Sequence, residues 1–131
     1  MSGKAGIIII SHSFEIGEGI KKLIDQVIED VPIALACGTE NGEIGTSMER
    51  IQSAIDQVGN ENGAVLLYDL GSAKMNAEMV LELVDRNNLQ IAEDVPLVEG
   101  SYIAAVEANL GGKTVEEIMV SLDKLKIDHS S

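Results

Sequence analysis

The feature that most constrains this chain is an unbroken apolar run near its start, in which Ala5 and Gly6 lead into four successive isoleucines, Ile7 to Ile10. Side chains branched at Cβ favour extended backbone, and a strand that is apolar on both faces must be covered on both sides. The run is far too short to cross a bilayer. It therefore predicts a central strand of a sheet with helices packed on its two faces.

The rest of the chain continues this alternation of short apolar runs with helical periods. Further strands are predicted at 32–37 and 64–68, with a weaker candidate at 89–95 before Pro96 breaks the chain. The predicted buried helix positions are Ile20, Leu23, Ile24, Val27 and Ile28; Met48, Ile51, Ile55 and Val58; Met79, Val80, Leu83 and Val84; Ile103, Val106 and Leu110; and Val115, Ile118, Met119, Leu122 and Leu125. The prediction is a single α/β domain over residues 1–131. Its sheet is doubly wound and mostly parallel, with about four strands in the order 2-1-3-4, right-handed crossovers and helices on both faces.

Local signals indicate where several elements begin and end. Thr46-Ser47-Met48-Glu49 and Thr114-Val115-Glu116-Glu117 both have the spacing of a capping box, which begins a helix. Gly17 and Gly19 either bring the backbone of the first helix close to the site or belong to a long turn, and the turn is favoured because glycine is a poor helix former. The tail at 126–131 is predicted to fray.

Charge and composition exclude several classes of partner. The chain has 9 Lys and Arg against 22 Asp and Glu, a net charge of −13, which disfavours nucleic acid and anionic membranes because both need basic patches. Such acidity either keeps a protein soluble or steers it to a basic protein partner. Aromatic residues make up only 2% of the chain, so stacking platforms for bases or sugars are not expected. The lone Cys37, predicted to be a small buried residue, and the absence of an export signal predict a cytoplasmic protein.

The predicted sheet also indicates where a functional site should lie. In a doubly wound sheet, function gathers at the carboxyl ends of the strands where the strand order reverses, here between the first and third strands. The residues at these strand ends are polar or small: Ser11, His12 and Ser13 after the first strand, Thr46 and Ser47 at the end of the loop after the second, and Asp69, Gly71 and Ser72 after the third. Neighbouring strands lie about 4.8 Å apart, so His12 and Asp69 are predicted to meet at one edge of the sheet.

The pairing of an imidazole with a carboxylate predicts phosphoryl transfer. A carboxylate that accepts the Nδ1–H of an imidazole fixes the tautomer, leaves Nε2 as a nucleophile and stabilises positive charge on the ring. His12 is therefore the predicted phosphoacceptor, and Asp69 is the residue predicted to orient it. Hydroxyl groups and the N–H groups at a helix start suit a phosphate, and the predicted phosphate-binding residues are Ser11, Ser13, Thr46, Gly71 and Ser72.

Three other kinds of site lack the residues that they need. A response-regulator receiver also has an aspartate after its third strand, but it needs an acidic pair after the first strand to hold Mg²⁺, and this chain has Ser11-His12-Ser13 there. The Gly-rich phosphate loop of nucleotide kinases is absent. Two histidines and one cysteine show no spacing typical of a metal site, so no metal is expected.

The strand-end motifs resemble those of a known family. Ser11-His12-Ser13 followed by Ile16-Gly17-Glu18-Gly19, then Gly42-Glu43-Ile44-Gly45-Thr46-Ser47, then Tyr68-Asp69-Leu70-Gly71-Ser72-Ala73 are similar to three signature stretches of the DhaM family, the phosphotransferase subunits of PTS-dependent dihydroxyacetone kinase. That family belongs to the enzyme IIA group of mannose-class sugar phosphotransferase systems. The similarity spans nearly the whole chain.

The resemblance implies a specific reaction. His12 would accept a phosphoryl group from the phosphohistidine of the carrier HPr, with phosphoenolpyruvate as ultimate donor, and pass it to ADP bound on the partner L subunit. The regenerated ATP would phosphorylate dihydroxyacetone held by the K subunit. Asp69 would orient His12, and the regions of Thr46 and Ser72 would hold the phosphate. The resemblance also implies a homodimer and no cofactor bound by this subunit. Some members of the family carry HPr-like and enzyme-I-like domains; these do not follow here, so the protein is expected to depend on separate carriers.

Two other functions stay open from the sequence. A mannose-class enzyme IIA that serves a sugar transporter would share the fold and the histidine, but it would pass the phosphate to the transporter's B domain. Ser13 after the histidine, where mannose-class members tend to have glycine, and the stretch at 43–47 favour the kinase subunit. A regulatory or interaction module that is never phosphorylated would be expected to leave His12 exposed, without Asp69 nearby.

Overall fold

The computed structural model of the protein describes residues 3–58 and 61–127. Residues 1–2, 59–60 and 128–131 lie outside the described residues, and with them most of the tail that was expected to fray. The elements follow one another as β1 (Gly6–Ser11), α1 (Phe14–Asp25), β2 (Ile33–Cys37), α2 (Met48–Val58), β3 (Ala64–Tyr68), α3 (Gly71–Leu83), β4 (Leu89–Ile91), α4 (Leu97–Asn109) and α5 (Val115–Asp123).

The four strands form one parallel sheet in the order β2-β1-β3-β4, which confirms the predicted α/β fold and strand order. β1 lies inside the sheet and every one of its residues is buried. Its partners on the two sides are in register, with Ile10 opposite Ala36 of β2 and Tyr68 of β3. The carboxyl ends of β1, β2 and β3 therefore meet at one edge of the sheet.

Two hydrophobic layers cover the sheet. Successive side chains of a strand point to opposite faces, so Ile7 and Ile9 pack in the layer under α1, α4 and α5, whereas Ile8 and Ile10 pack in the layer under α2 and α3. The run of isoleucines thus supplies both layers at once. No helix among the described residues combines the length and the apolar character that a membrane span requires.

The predicted buried face of α4 is wrong in most positions. Leu110 is exposed, Ile103 and Val106 are only partly buried, and the buried residues are the small ones, namely Gly100, Ser101, Ala104, Ala105 and Ala108. The reason is close packing against the sheet. A Cβ added at Gly100 would lie 2.8 Å from Leu67 Cδ2 of β3, so there is little room for a large side chain between this helix and the strands.

Two more helices bury fewer of their large residues than the periodicity predicts. In α3 the buried residues are Ala73, Ala77 and Val80, while Met79 and Leu83 are exposed. In the first helical segment Ile20, Ile24 and Ile28 are buried, and Leu23 and Val27 are exposed. An apolar residue next to the buried stripe of a helix satisfies the periodicity without reaching the sheet.

Gly17 and Gly19 both lie within α1, so the favoured prediction of a long turn is wrong. Gly17 is required for a close approach, because a Cβ there would lie 2.3 Å from the Sγ of Cys37 at the end of β2. Cys37 is buried, as predicted, and its burial raises the pKa of its thiol to about 11. This contact sets α1 directly against the strand ends.

Three element ends differ from the prediction or refine it. β4 stops at Ile91 rather than at residue 95, and a turn at Glu93 and Asp94 follows it, in which Asp94 has a left-handed φ of 60°. The first predicted capping box is wrong: α2 is capped by Ser47, whose Oγ accepts the N–H of Arg50 at 3.3 Å. The second capping box, which begins α5 at Thr114, is confirmed.

Candidate active site

The ends of β1 and β3 bring the predicted histidine and aspartate together. The two strands are parallel neighbours, with Ile10 opposite Tyr68. The residues that follow them, His12 and Asp69, therefore leave the sheet side by side, at the point where the strand order reverses.

The His12 ring is held at both of its nitrogen atoms. Asp69 Oδ1 lies 2.9 Å from His12 Nδ1, and the two side chains are 18% and 19% exposed. Because an ionised carboxylate can only accept, Nδ1 is the donor in this pair, and in the neutral ring Nε2 is the atom with the lone pair. Ser72 Oγ lies 2.7 Å from Nε2. The arrangement therefore presents Nε2 as the nucleophilic atom.

Asp69 accepts hydrogen bonds on both carboxylate oxygens. Its Oδ1 also accepts the N–H of Leu70 at 2.7 Å, and its Oδ2 accepts the backbone N–H of His12 and the hydroxyl of Ser11, each at 2.9 Å. Burial by itself would raise the pKa of the Asp69 carboxyl. The hydrogen bonds to its ionised form outweigh the burial and lower the pKa below its ordinary value. Asp69 is thus a fixed negative charge beside the imidazole.

The first turn of α3 adds donors next to Nε2. α3 begins at Gly71, and the residue before it, Leu70, makes no side-chain hydrogen bond to the first N–H groups of the helix. Uncapped N–H groups and the positive end of the helix dipole attract an anion. A Cβ placed on Gly71 would meet no atom within 4 Å, so the space over this turn is open. Ser72 and this turn form a place that suits a phosphoryl group on Nε2.

The loop between β2 and α2, residues 38–47, is tied to both sides of the site. The N–H of Gly45 donates to the carbonyl of His12 at 2.8 Å. The Oγ1 of Thr46 accepts a hydrogen bond from Nδ2 of Asn76 in α3 at 2.6 Å. Gly45 has a φ of 146°, and a Cβ there would lie 2.9 Å from Thr39 Cγ2, so this position needs glycine. The loop therefore holds Thr46 close to the histidine and to α3.

Comparison with known proteins agrees with this geometry. Residues 6–119 match the sequence profile of a family described as PTS system fructose IIA component. The chain belongs to this IIA family. The match spans all four strands and the residues around His12 and Asp69, and it confirms the enzyme IIA group that the strand-end motifs resemble.

The curated relatives that the chain resembles are subunits of dihydroxyacetone kinases. The chain is 43% identical to the PTS-dependent dihydroxyacetone kinase, phosphotransferase subunit DhaM, of Lactococcus lactis, over 94% of this chain and 97% of that protein. It is 38% identical to the PEP-dependent dihydroxyacetone kinase 1, phosphoryl donor subunit DhaM, of Listeria innocua, over 97% and 99%. The corresponding subunit of Escherichia coli is 33% identical over 92% of this chain but only 27% of its own length, so that relative is much longer.

Solved structures share the fold. The crystal structure of EF1359, a protein of unknown function, superposes with a TM-score of 0.81 at 26% identity and covers 95% of this chain and 97% of that one. A sigma-54 interaction domain protein from Enterococcus faecalis gives a TM-score of 0.71 at 14% identity over 95% and 91%, which shows the fold alone.

Two predicted phosphate-binding serines have other hydrogen bonds in this IIA fold. Ser11 is fully buried, and its hydroxyl donates to Asp69 while accepting the N–H of Ser13 at 3.1 Å. Ser13 caps α1 by accepting the N–H of Ile16 at 3.3 Å. These bonds orient Asp69 and begin α1 beside the histidine. Phosphate binding by Ser11 and Ser13 stays a prediction from the sequence.

One residue of the site was missed by the sequence analysis. Asn76 lies four residues after Ser72 in α3, so the two side chains share one helix face, one turn apart. The sequence did contain a signal for Asn76, namely a polar residue four positions after a predicted phosphate-binding serine. Among residues 3–58 and 61–127, no three His, Cys, Asp or Glu side chains are grouped so that they can hold a metal ion.

The reactive nitrogen lies outside the neighbouring cavity. A cavity of about 400 Å³ opens between the ends of β3 and β4, and it is lined by Tyr68, Asp69, Leu70, Gly71, Lys74, Asp94, Val95 and Ile127. Neither His12 nor Ser72 lines it. The His12 side chain is 19% exposed, and the contact between its Nε2 and Ser72 lies at the surface on this edge of the sheet.

Proposed function

We propose that this protein is a phosphohistidine carrier, the phosphotransferase subunit of a dihydroxyacetone kinase. It accepts a phosphoryl group from HPr on His12 and transfers it to ADP bound on the L subunit. The observation that carries the proposal is the His12 ring, whose Nδ1 is held by Asp69 and whose Nε2 faces the first turn of α3. The names of the curated relatives supply the kinase, and the family resemblance supplies HPr and the L subunit.

The proposed transfer needs two displacements at phosphorus. In the first, the lone pair of His12 Nε2 forms a bond to phosphorus while the P–N bond in the phosphohistidine of HPr breaks and its electron pair returns to the imidazole of HPr. In the second, a β-phosphate oxygen of ADP bonds to phosphorus and the Nε2–P electron pair returns to His12, which yields ATP. Positive charge that develops on the His12 ring is stabilised by Asp69. Chemistry of this kind depends on positioning and charge stabilisation, which the site supplies.

Donors around Nε2 support the retention of the phosphoryl group. The hydroxyls of Ser72 and Thr46 and the first N–H groups of α3 at Gly71 are the groups that we assign to the phosphate. The subunit itself is proposed to hold no cofactor, because ADP stays on the L subunit. The proposed function belongs to the cytoplasm, which is also the location that the lone cysteine predicts.

Apolar side chains around His12 support docking of a protein partner. Phe14, Ile44 and Leu70 are 39%, 74% and 59% exposed. Phe14 is two residues after His12, Ile44 precedes Gly45, which donates to the His12 carbonyl, and Leu70 follows Asp69. They come from the start of α1, the β2–α2 loop and the turn before α3, which are the segments that follow β1, β2 and β3. We name these three residues the apolar ring and propose it as the docking face for HPr.

Charge supports the same assignment. Glu15, Glu40 and Glu43 are exposed next to the apolar ring, on a chain with a net charge of −13. A partner with basic residues around its own phosphate site fits this face. Because HPr and the L subunit must both reach Nε2, we propose that they compete for the apolar ring and bind in turn.

The second candidate is an enzyme IIA of a sugar transporter. It is favoured by the description of the matching family, PTS system fructose IIA component. In that case the phosphoryl group on His12 would pass to the B domain of a transporter instead of to ADP. The fold and the first displacement would be the same.

The test is phosphorylation in a reconstituted relay. The protein is incubated with phosphoenolpyruvate, enzyme I and HPr, and mass spectrometry is expected to find one acid-labile, base-stable phosphate at His12. His12→Ala should not be labelled, whereas the matched variant His129→Ala should be. Labelling of His12→Ala would contradict the assignment. A chase with ADP-loaded L subunit is expected to produce ATP, and loss of phosphate only to a transporter B domain would favour the second candidate.

Self-association is part of the proposal. The resemblance implies a homodimer, and light scattering of the purified protein on a sizing column is expected to give twice the mass of the 131-residue chain. A monomer across micromolar concentrations would contradict this part of the proposal without touching the chemistry of His12.

A further inference from the structure

Thr46 is fixed from two directions. Its neighbour Gly45 donates its N–H to the carbonyl of His12 at 2.8 Å, so the backbone at 45–46 lies against the strand end that carries the histidine. Its own Oγ1 lies 2.6 Å from Nδ2 of Asn76. The Thr46 hydroxyl therefore lies between the β1 end and α3.

Asn76 and Ser72 locate that hydroxyl relative to Nε2. The two residues are one turn apart on the same face of α3, and side chains at this spacing are neighbours. Ser72 Oγ is 2.7 Å from Nε2 of His12. The contact between Asn76 and the Thr46 hydroxyl therefore lies one turn along α3 from the contact between Ser72 and the ring.

The direction of the hydrogen bond decides what the Thr46 hydroxyl can do. A hydroxyl has one proton to donate and two lone pairs. The Asn76 amide donates to one lone pair and leaves the proton unused. No second hydrogen bond of this hydroxyl is found among the residues that the structure describes. A phosphoryl group offers only acceptors, so a hydroxyl with a free proton is the complementary group.

We propose that Asn76 is a positioning residue for phosphoryl transfer: by donating to Thr46 Oγ1, it turns the Thr46 hydroxyl proton toward the phosphoryl group on His12 Nε2. The inference rests on the proposed function, and it adds a residue that the sequence motifs did not indicate. Asn76 acts through Thr46 and does not itself touch the phosphate. If Asn76 served only to tie the loop to α3, an acceptor at position 76 would keep that tie through the Thr46 hydroxyl, and the rate would not fall.

The test is a double-mutant cycle between Asn76 and Thr46. Phosphorylation of His12 is followed by rapid quench with phospho-HPr, and separately with phosphoramidate, a small donor that needs no docking face. Asn76→Ala and Thr46→Val are each expected to slow both reactions about tenfold, as for loss of one hydrogen bond to a charged group. The double variant is expected to be no slower than Thr46→Val alone. Thr46→Ser, which keeps the hydroxyl, should be faster than Thr46→Val and should still be slowed by Asn76→Ala.

A spectroscopic readout reports on the phosphoryl group itself, and the direction of the bond between Asn76 and Thr46 is tested by Asn76→Asp. The ³¹P chemical shift of phosphorylated His12 should move in Asn76→Ala and in Thr46→Val by similar amounts, and it should not move further in the double variant. If Asn76→Ala lowers the thermal midpoint so far that the fold is lost, Asn76→Asp replaces it. That variant keeps the shape, but its carboxylate accepts the Thr46 proton. It should therefore slow the reaction in the wild-type background and have much less effect when combined with Thr46→Val.

Two results would overturn the inference. One is an Asn76→Ala protein with a wild-type rate and ³¹P shift. The other is a double variant that is slower than Thr46→Val by the full effect of Asn76→Ala, because the two residues would then act independently. Failure of the proposed function is recognised separately, since wild-type protein would then take up phosphate from phosphoramidate but not from phospho-HPr.

Discussion

Asp69 shows how one residue can serve structure and chemistry together. Its carboxylate joins the ends of β1 and β3 through Ser11 and the His12 backbone, and it fixes the imidazole through Nδ1. The sequence analysis predicted the pairing with His12, because parallel neighbouring strands place their carboxyl ends at one edge. It did not predict the hydrogen bond from Ser11, since a serine hydroxyl after a strand fits a phosphate equally well.

Asp69→Asn tests the charge of this residue. The asparagine amide keeps the shape of the carboxylate but loses its charge. Its NH₂ group can donate to His12 Nδ1, which favours the tautomer with the proton on Nε2 and removes the nucleophilic lone pair there. We expect phosphorylation of His12 by phospho-HPr to slow about 100-fold or more in a rapid-quench assay, with the fold retained. Asp94→Asn, in the wall of the neighbouring cavity, is the matched control and should stay within about twofold. Equal rates for wild type and Asp69→Asn would contradict the role.

The pH dependence of stability also belongs to Asp69. Because its folded pKa is lowered from the ordinary value of 3.8, the ionised carboxylate stabilises the native state at pH values above that ordinary value. This stability is lost as the pH falls through the folded pKa. Thermal unfolding of wild type and Asp69→Asn should therefore differ most near neutral pH and converge as the pH is lowered below 3.8. A difference that does not change with pH would contradict this.

At the scale of elements, close approach decides which helix residues are buried. Periodicity predicted that large apolar residues of α4 face the sheet, and the structure shows glycine, serine and alanine there. α4 packs so close to β3 and the segment before it that a Cβ on Gly100 would lie 2.4 Å from Val95 Cγ1. A sequence pattern reports which residues are apolar, but it does not report the distance between a helix and its sheet.

The two glycines of α1 test close approach within one helix. A methyl group at Gly17 would lie 2.3 Å from Cys37 Sγ, so Gly17→Ala is expected to lower the free energy of unfolding by about 1–3 kcal/mol. Gly19→Ala meets no atom within 4 Å and should raise it by about 0.5–1 kcal/mol. Urea unfolding measures both. Cys37→Ala should recover part of the loss, and a Gly17→Ala protein as stable as wild type would contradict the contact.

Ser101 tests the apolar face of α4. The residue is fully buried, and its hydroxyl has no hydrogen-bond partner among the described residues. Ser101→Ala removes an unpaired polar group, so we expect the free energy of unfolding to rise by about 1 kcal/mol. Ala104→Ser adds a hydroxyl to the same buried face and should lower it by a similar amount. Destabilisation by Ser101→Ala in urea unfolding would show that the hydroxyl is bonded.

At the scale of the whole molecule, the sheet presents one edge to partners. The strand order puts the ends of β1 and β3 side by side, and the three exposed residues of the apolar ring lie in the segments that follow β1, β2 and β3. In the proposed relay two proteins must reach Nε2 in turn, and the His12 side chain is 19% exposed at this edge. The chain has a net charge of −13, and this charge contributes to the electrostatic field that a partner meets.

A charge placed in the apolar ring tests the docking face. Ile44 is 74% exposed, so Ile44→Asp should leave thermal stability unchanged while it weakens binding of HPr about tenfold in titration calorimetry. Leu110, 67% exposed at the far end of α4, is the matched control, and Leu110→Asp should bind HPr like wild type. Equal weakening by both variants would mean that net charge, rather than this face, controls association.

The sequence by itself determined the class of fold, the order of the strands and the edge at which His12 and Asp69 meet. These follow from the short periods of strands and helices and from the way parallel strands are connected, which are local properties of the chain. Only the tertiary structure decided which helix faces are buried. It also decided that Ser11 donates to Asp69, that Ser13 caps α1, and that Asn76 donates to Thr46, 30 positions away in the sequence. Such contacts depend on the distances between packed elements, and no residue pattern along a single element contains those distances.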